Sequence, residues 1–104
     1  MSEERTVEVV DNPEQARFEV HVDGKLAGFT TYSARDGIRT FPHTEVAEEY
    51  AGEGLAKRVI HDGLVASREA GFKVRPICPA VVRFIKKRPE FADLVAEQYR
   101  DAIA

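Results

Sequence analysis

The sequence predicts an α+β fold built on a mixed sheet, and three observations support this prediction. Apolar and polar residues alternate through the first half, and turn residues interrupt them, which is typical of strands. Between residues 55 and 70 the apolar period changes to that of an amphipathic helix. A short apolar run follows and completes a β-α-β unit, in which the two strands run parallel with a right-handed connection.

The first half is predicted to be an antiparallel meander. In residues 16–22, Phe18, Val20 and Val22 point one way and polar residues the other, which indicates a half-buried strand. Asp23-Gly24 follows, a pair favoured in tight hairpin turns. Further turns are expected at 11–14 and 34–37. The predicted strands are residues 5–10, 16–22, 25–32 and 38–46.

The second half is predicted to contain the crossover and the C-terminal helices. The helix over residues 55–70 ends at Gly71, a residue common at helix C-termini. Residues 72–77 form a short strand, expected to lie parallel to residues 38–46. Arg88-Pro89 separates two more predicted helices, residues 79–87 and 91–99.

Length and composition set limits on the class of protein. The 104 residues, 43% apolar and 32% charged, are expected to form one domain, 1–104. A net charge of −3 argues against general nucleic-acid binding. One cysteine and no apparent signal peptide favour a cytoplasmic protein. No membrane segment and no metal-ligand spacing is visible, and we expect a monomer.

Two glycines, Gly52 and Gly54, mark the junction between the strand that ends at Val46 and the helix that begins at Leu55. Glycine lets the backbone approach a ligand, and a helix N-terminus favours phosphate. The alternative is an ordinary strand-to-helix loop, because this pair alone is weak evidence. A Rossmann site is disfavoured, because lysine stands at position 57 where the third glycine would be.

His43 and Glu45 are two residues apart in a predicted strand and therefore share a face, together with Arg39 and Phe41. An imidazole beside a carboxylate can act as a general base near neutral pH. The alternative is a solvated strand face that carries a chance polar pair.

Cys78 is predicted at a helix N-cap, because Pro79 is typical of a first helical position. A helix N-terminus stabilises a thiolate, although a small buried side chain is the commoner role of a single cysteine. A basic cluster follows on the next helix. It is either a solvated helix face or a contact for an outer phosphate of an anionic ligand, and it comprises Arg83, Lys86, Lys87 and Arg88.

The order of these elements resembles the core of the GNAT superfamily of N-acetyltransferases. Gly52 and Gly54 match the last two positions of its signature, Gln or Arg, two residues, Gly, one residue, then Gly or Ala, whereas Glu49 departs from the first. Four segments in the same order are similar to the very small, single-domain YjdJ-like branch: residues 41–46, 52–56, 76–79 and 88–95. Two further departures are Ala80, where phenylalanine is expected, and Arg88, where histidine is common.

The resemblance implies an acetyl-coenzyme A site, and no metal is expected in it because no metal-ligand spacing is visible. The pantetheine arm would run between the ends of the strands Thr44–Val46 and Phe72–Ile77 and pair with their backbone, and His43 and Cys78 would be the catalytic residues. Glu45, which shares a strand face with His43, is the further candidate that would aid the histidine. The pyrophosphate would rest on the backbone of Ala51, Gly52, Glu53, Gly54, Leu55 and Ala56.

The predicted function is acetyl transfer from acetyl-coenzyme A to a primary amine of a protein or a small molecule. Either His43 assists direct attack by the amine, or Cys78 first takes the acetyl group. One alternative is a non-catalytic module that binds coenzyme A or acetyl-coenzyme A without turnover. The other is a plain interaction domain that binds neither of these two molecules.

Overall fold

A computed structural model describes residues 5–104 and shows a mixed α+β fold, as predicted. Four strands form one sheet in the order β1-β2-β3-β6, and three form a second in the order β4-β5-β7. The elements are β1 (Val7–Asn12), β2 (Arg17–Val22), β3 (Lys25–Thr31), β4 (Ser33–Arg35), β5 (Ile38–Phe41), β6 (Thr44–Val46), α1 (Leu55–Glu69), β7 (Lys73–Pro76) and α2 (Pro79–Lys87), with 3₁₀ segments at Glu48–Tyr50, Pro89–Leu94 and Glu97–Ile103.

The antiparallel meander is confirmed for β1, β2 and β3. The hairpin turn has Asp23 and Gly24 at φ values of 50° and 81°, as a turn with two left-handed residues requires. Phe18, Val20 and Val22 of β2 are buried, as the alternation predicted. These side chains join the core that α1 covers.

The predicted strand over residues 38–46 is divided in two. β5 pairs in parallel with β7, whereas β6 pairs antiparallel with β3. Pro42 stands between them, outside both ladders, and proline cannot donate a ladder hydrogen bond. The chain therefore leaves one sheet and enters the other at Pro42-His43.

The crossover is confirmed, because α1 connects β5 to the parallel strand β7. Gly71 follows the helix at a φ of 87°, the left-handed conformation expected at a C-terminal cap. The core beneath α1 draws on both sheets and on α2. Its fully buried members are Val20, Phe41, Val59, Leu64, Val74, Val81, Ile85 and Val95.

Arg39 does not share a face with His43, contrary to the prediction, because the break at Pro42 ends the alternation. Its side chain is buried and faces α1, where Nη1 donates to Oγ of Ser67 at 3.2 Å. The guanidinium carbon lies 4.4 Å from the ring centroids of both Tyr32 and Phe72. Arg39 is therefore a structural cation that fastens β5 to α1.

The predicted helix over residues 91–99 is wrong. Two 3₁₀ segments occupy this region, and between them Val95 is extended, with φ −68° and ψ 129°. Val95 forms a parallel bridge to Val74, and the N–H of Ala96 donates to the Val74 carbonyl at 2.9 Å. This bridge to β7 interrupts the helix. Between residues 5 and 104, no helix combines the length and apolar character that crossing a membrane requires.

Candidate active site

The glycine loop, residues 51–54, leads directly into α1. Gly52 and Gly54 have φ values of 83° and 77°, and a Cβ on either would meet open space. Both glycines are thus required by backbone conformation. Among residues 5–104 no side chain caps α1, whose first hydrogen bond runs from Arg58 N–H to the Gly54 carbonyl at 3.1 Å. The N–H groups of the first turn have no partner within the helix, and the helix dipole favours negative charge at this end.

Glu53 is the charged residue inside this loop, and it forms an ion pair with Arg5. The pair offsets a carboxylate that would otherwise repel an anion at the helix start. Glu49, the residue that departs from the family signature, lies exposed in the preceding 3₁₀ segment.

A cavity of about 640 Å³ lies between the first turn of α1 and α2. Ala56 and Ala80 contribute small side chains, and the buried Phe84 ring has the Arg88 guanidinium 5.1 Å from its centroid. Three members of the basic cluster predicted from sequence therefore line a concave site. The cations that line it are Lys57, Arg83, Lys87 and Arg88, with Glu90 as the acidic member.

β6 and β7 belong to different sheets and do not pair with each other, and the gap between their backbones is called the cleft. The Phe41 carbonyl accepts from the N–H groups of Ile77 and Cys78 at 3.2 and 2.9 Å, and these are the last bonds between β5 and the β7 segment. β6 pairs with β3 on one edge, and in the described part of the chain no strand pairs with its other edge. The backbone of β6 at Thr44 and Val46 thus borders the cleft with ladder positions open.

His43 and Glu45 are on the face of the sheet away from α1. Nε2 of His43 is 3.7 Å from Oε2 of Glu45, and both side chains are more than half exposed. The Thr31 N–H donates to the His43 carbonyl at 2.8 Å, which fixes the backbone. The imidazole also lies beside Phe29, with ring centroids 6.2 Å apart. The predicted imidazole–carboxylate pair is therefore present and open to solvent.

Cys78 is the N-cap residue of α2, as predicted, and is 5% exposed. Its Sγ lies 3.5 Å from Oγ1 of Thr44, which in turn lies 2.9 Å from Oγ1 of Thr30. Burial raises the pKa of the Cys78 thiol, but hydrogen bonds from the Thr44 hydroxyl and from the N–H groups of Val81 and Ala80 outweigh burial. The net pKa lies below the ordinary value of a thiol.

The catalytic candidates lie on opposite faces of β6. Thr44 points towards Cys78, and successive strand residues alternate, so His43 and Glu45 point away from it. The structure brings the backbones of these residues to one cleft but does not bring the imidazole and thiol into contact. The Thr44 hydroxyl link to Cys78 was missed from the sequence, because its signal depends on knowing that β6 and the end of β7 are neighbours.

Comparison with known proteins identifies the family to which the chain is similar. Residues 17–94, most of the chain, match the family model described as GCN5-related N-acetyl-transferase. The fold is similar to the crystal structure of Ard1 from Thermoplasma volcanium, with a TM-score of 0.54 and 22% identity over 64% of this chain. The match spans 45% of the Ard1 chain, less than half its length.

No curated protein sequence matches this chain. The resemblance predicted from the sequence is confirmed for the family and for the mixed fold, whereas the YjdJ-like branch stays a prediction. The chain belongs to the GCN5-related N-acetyltransferase family of enzymes.

Proposed function

We propose that this enzyme transfers an acetyl group from acetyl-coenzyme A to a primary amine. The observation that carries the proposal is the continuity of three features: an uncapped helix N-terminus behind two left-handed glycines, a cationic cavity beside it, and an open strand edge leading from it. The pyrophosphate of coenzyme A suits the helix N-terminus, and its 3′-phosphate suits the cationic cavity. Its amide-bearing pantetheine arm suits the open strand edge.

The residues present suit each part of coenzyme A. The pyrophosphate would rest on the backbone amides of Ala51–Ala56, since residues 51–54 are exposed and the dipole of α1 favours negative charge there. Arg83 and Lys57 would neutralise the 3′-phosphate at the cavity, and the small Ala80 leaves room for the adenosine. The pantetheine amides would pair with the free edge of β6 at Thr44 and Val46.

Direct transfer is the mechanism that the geometry favours. His43, whose Nε2 lies 3.7 Å from the Glu45 carboxylate, accepts the proton of the attacking amine. The nitrogen forms a bond to the thioester carbonyl carbon, the carbon–sulfur bond breaks, and coenzyme A leaves as a thiolate that takes up a proton. The exposure of His43 on the face away from α1 leaves an approach for the amine.

Transfer through Cys78 is the second mechanism, and its support is the lowered pKa of the thiol. A thiolate attacks the thioester, releases coenzyme A and passes the acetyl group to the amine. Burial of the Cys78 side chain argues against this covalent route, because the amine must reach the Sγ atom that carries the acetyl group.

Calorimetric titration with acetyl-coenzyme A tests the proposed site through Gly54→Val. Valine at a φ of 77° is strained and displaces the loop, so affinity is expected to fall at least about tenfold. Gly37→Val is the matched control, because Gly37 has the same φ, also faces open space and lies in the β4–β5 turn. Equal affinity in wild type and Gly54→Val, with the fold retained by circular dichroism, would refute the site.

Transfer of acetyl to a panel of amines separates an enzyme from a module that only binds coenzyme A. Turnover of acetyl-coenzyme A that depends on an added amine is expected. Tight binding without turnover of any amine would favour the binding module, and absence of binding would favour an interaction domain. A cytoplasmic location, a single domain over 1–104 and a monomeric state stay predictions.

A further inference from the structure

A second cavity, about 570 Å³, lies on the side of β4, β5 and β7 that faces away from α1. The sheet forms its floor, and the 3₁₀ segment Glu97–Ile103 contributes Gln98 and Tyr99 to its wall. It shares no lining residue with the cationic cavity between α1 and α2. Nothing in the proposed binding of coenzyme A uses this second cavity.

Strand register places three polar side chains in a row across its floor. Ser33 of β4 is paired with Thr40 of β5, and Thr40 with Arg75 of β7. Adjacent strands are about 4.8 Å apart, and paired residues project from the same face. The floor therefore presents two hydroxyls and one guanidinium in line, with a spacing that a small polar ligand can span.

The Arg75 guanidinium packs against an aromatic ring but has no carboxylate partner among the described residues. Its guanidinium carbon lies 4.5 Å from the centroid of the Tyr99 ring, which holds the side chain over the cavity. No carboxylate of the described residues lies within 4.0 Å of Arg75. Among the same residues, Lys73 and Arg100 have no carboxylate partner either, but each donates to a backbone carbonyl, of Asp93 at 2.9 Å and of Val95 at 3.1 Å.

The charge around this cavity is opposite in sign to the charge of the chain. Arg35 lines it as well as Arg75, and the acidic member, Asp36, lies 3.7 Å from Arg35 in an exposed pair. The chain as a whole carries a net charge of −3. A concave cationic site on an acidic protein selects an anion, and the fork of a stacked guanidinium suits a carboxylate.

The cavity lies close to the cleft. Thr40, which pairs with Arg75, is the residue before Phe41 in β5. The Phe41 carbonyl accepts the last hydrogen bonds between β5 and the β7 segment, next to the cleft. Cys78 is three positions after Arg75, which corresponds to about 10 Å along an extended chain. His43 and the cavity both lie on the side of the sheets that faces away from α1.

We propose that this cavity binds the carboxylate of the acceptor, so that the enzyme acetylates amines that also carry a carboxylate about 10 Å from the nitrogen. The inference rests on the proposed function and adds the class of acceptor to it. Arg75 holds the carboxylate with help from Thr40 and Ser33, and the amine then lies at the cleft beside His43.

Binding of a dicarboxylate tests the site without any turnover. Glutarate is titrated into the isotope-labelled full chain, and 1,5-diaminopentane serves as the cationic counterpart of the same length. Saturable NMR shifts are expected at Thr40, Arg75 and Tyr99 with glutarate only, and Arg75→Gln should weaken binding about tenfold. Arg58→Gln, which breaks an exposed pair with Asp62 on α1, is the control.

An acetyl-transfer assay then compares 8-aminooctanoate, which has the required amine-to-carboxylate spacing, with octylamine, which lacks the carboxylate. The measured quantity is the ratio of their KM values, which should favour the acid in wild type and in Arg58→Gln and approach one in Arg75→Gln. Equal KM values in wild type, together with no saturable glutarate shift, would overturn the acceptor site and leave the acetyltransferase proposal intact. Glutarate binding at Arg75 without transfer to any amine would instead overturn the proposed function.

Discussion

Glu19 shows how a single residue departs from the surface role that its position in an alternating strand indicates. It lies on the face of β2 away from α1, yet it is only 7% exposed. It accepts hydrogen bonds from His21, Arg17 and Asn12 at 2.8–2.9 Å. The hydrogen bond from His21 is the largest effect and lowers the pKa of Glu19, whereas burial raises it. The hydrogen bonds from Arg17 and Asn12 lower the pKa further, to about 2.

Glu19→Gln is expected to destabilise the protein at neutral pH by about 1–3 kcal/mol, because it removes a charge that three donors satisfy. The folded-state pKa of Glu19 is lowered from 4.5, so its stabilisation is complete above pH 4.5 and is lost as the pH falls towards 2. Urea unfolding at several pH values measures this. A difference between variant and wild type that stays constant from pH 7 to 3 would contradict the assignment.

His43 and Cys78 carry the two mechanisms, and one pair of variants separates them. If transfer is direct, His43→Gln should lower kcat by about 100-fold, whereas Cys78→Ala should lower it less than tenfold. His21→Gln, on β2, controls for loss of a histidine. A burst of acetyl-enzyme that disappears in Cys78→Ser, measured by rapid quench and mass spectrometry, would support the covalent route instead.

At the scale of elements, β6 depends on Gly28 of β3. A Cβ at Gly28 would lie 2.6 Å from the Glu45 carbonyl oxygen and 2.9 Å from Cγ2 of Val46. Glycine is thus needed here for close approach between strands rather than for a special φ. Close packing against Gly28 of β3 therefore determines the position of β6 and of the cleft edge, although β3 carries none of the catalytic candidates.

Gly28→Ala is therefore expected to displace β6, cost about 1–3 kcal/mol of stability and weaken acetyl-coenzyme A binding. Urea unfolding and calorimetric titration measure the two effects. Gly37→Ala, strained in the β4–β5 turn but away from β6, should lose stability and keep its affinity. If Gly28→Ala keeps wild-type affinity, the free edge of β6 is not part of the cofactor site.

The elements that could be predicted are those whose information is local. α1 and α2 have period, proline and glycine signals of their own, and the observed bounds of α2 agree with the predicted ones. The division of residues 38–46 and the interruption at Val95 depend on partners distant in sequence, β3 and Val74. Strand propensity and helical period do not contain that information.

At the scale of the whole molecule, the two helices lie on one side of the sheets, and His43, Glu45 and the Arg75 cavity lie on the other. Cofactor and acceptor would thus approach from opposite faces and meet at the cleft. The sequence indicated the residues that border this cleft but not their faces, because Pro42 resets the alternation on which the predicted face of Arg39, Phe41 and His43 depended.

The division of the chain at Pro42 also bears on the order of folding. The pairs within β1, β2, β3 and β6 join residues close in sequence, such as Gly28 with Val46, whereas Ile38 pairs with Lys73 across the whole of α1. Closing the shorter loops costs less entropy, so the meander is expected to form first and the parallel pair last. The cleft lies between these two parts, so it would come into existence only with the final step of folding.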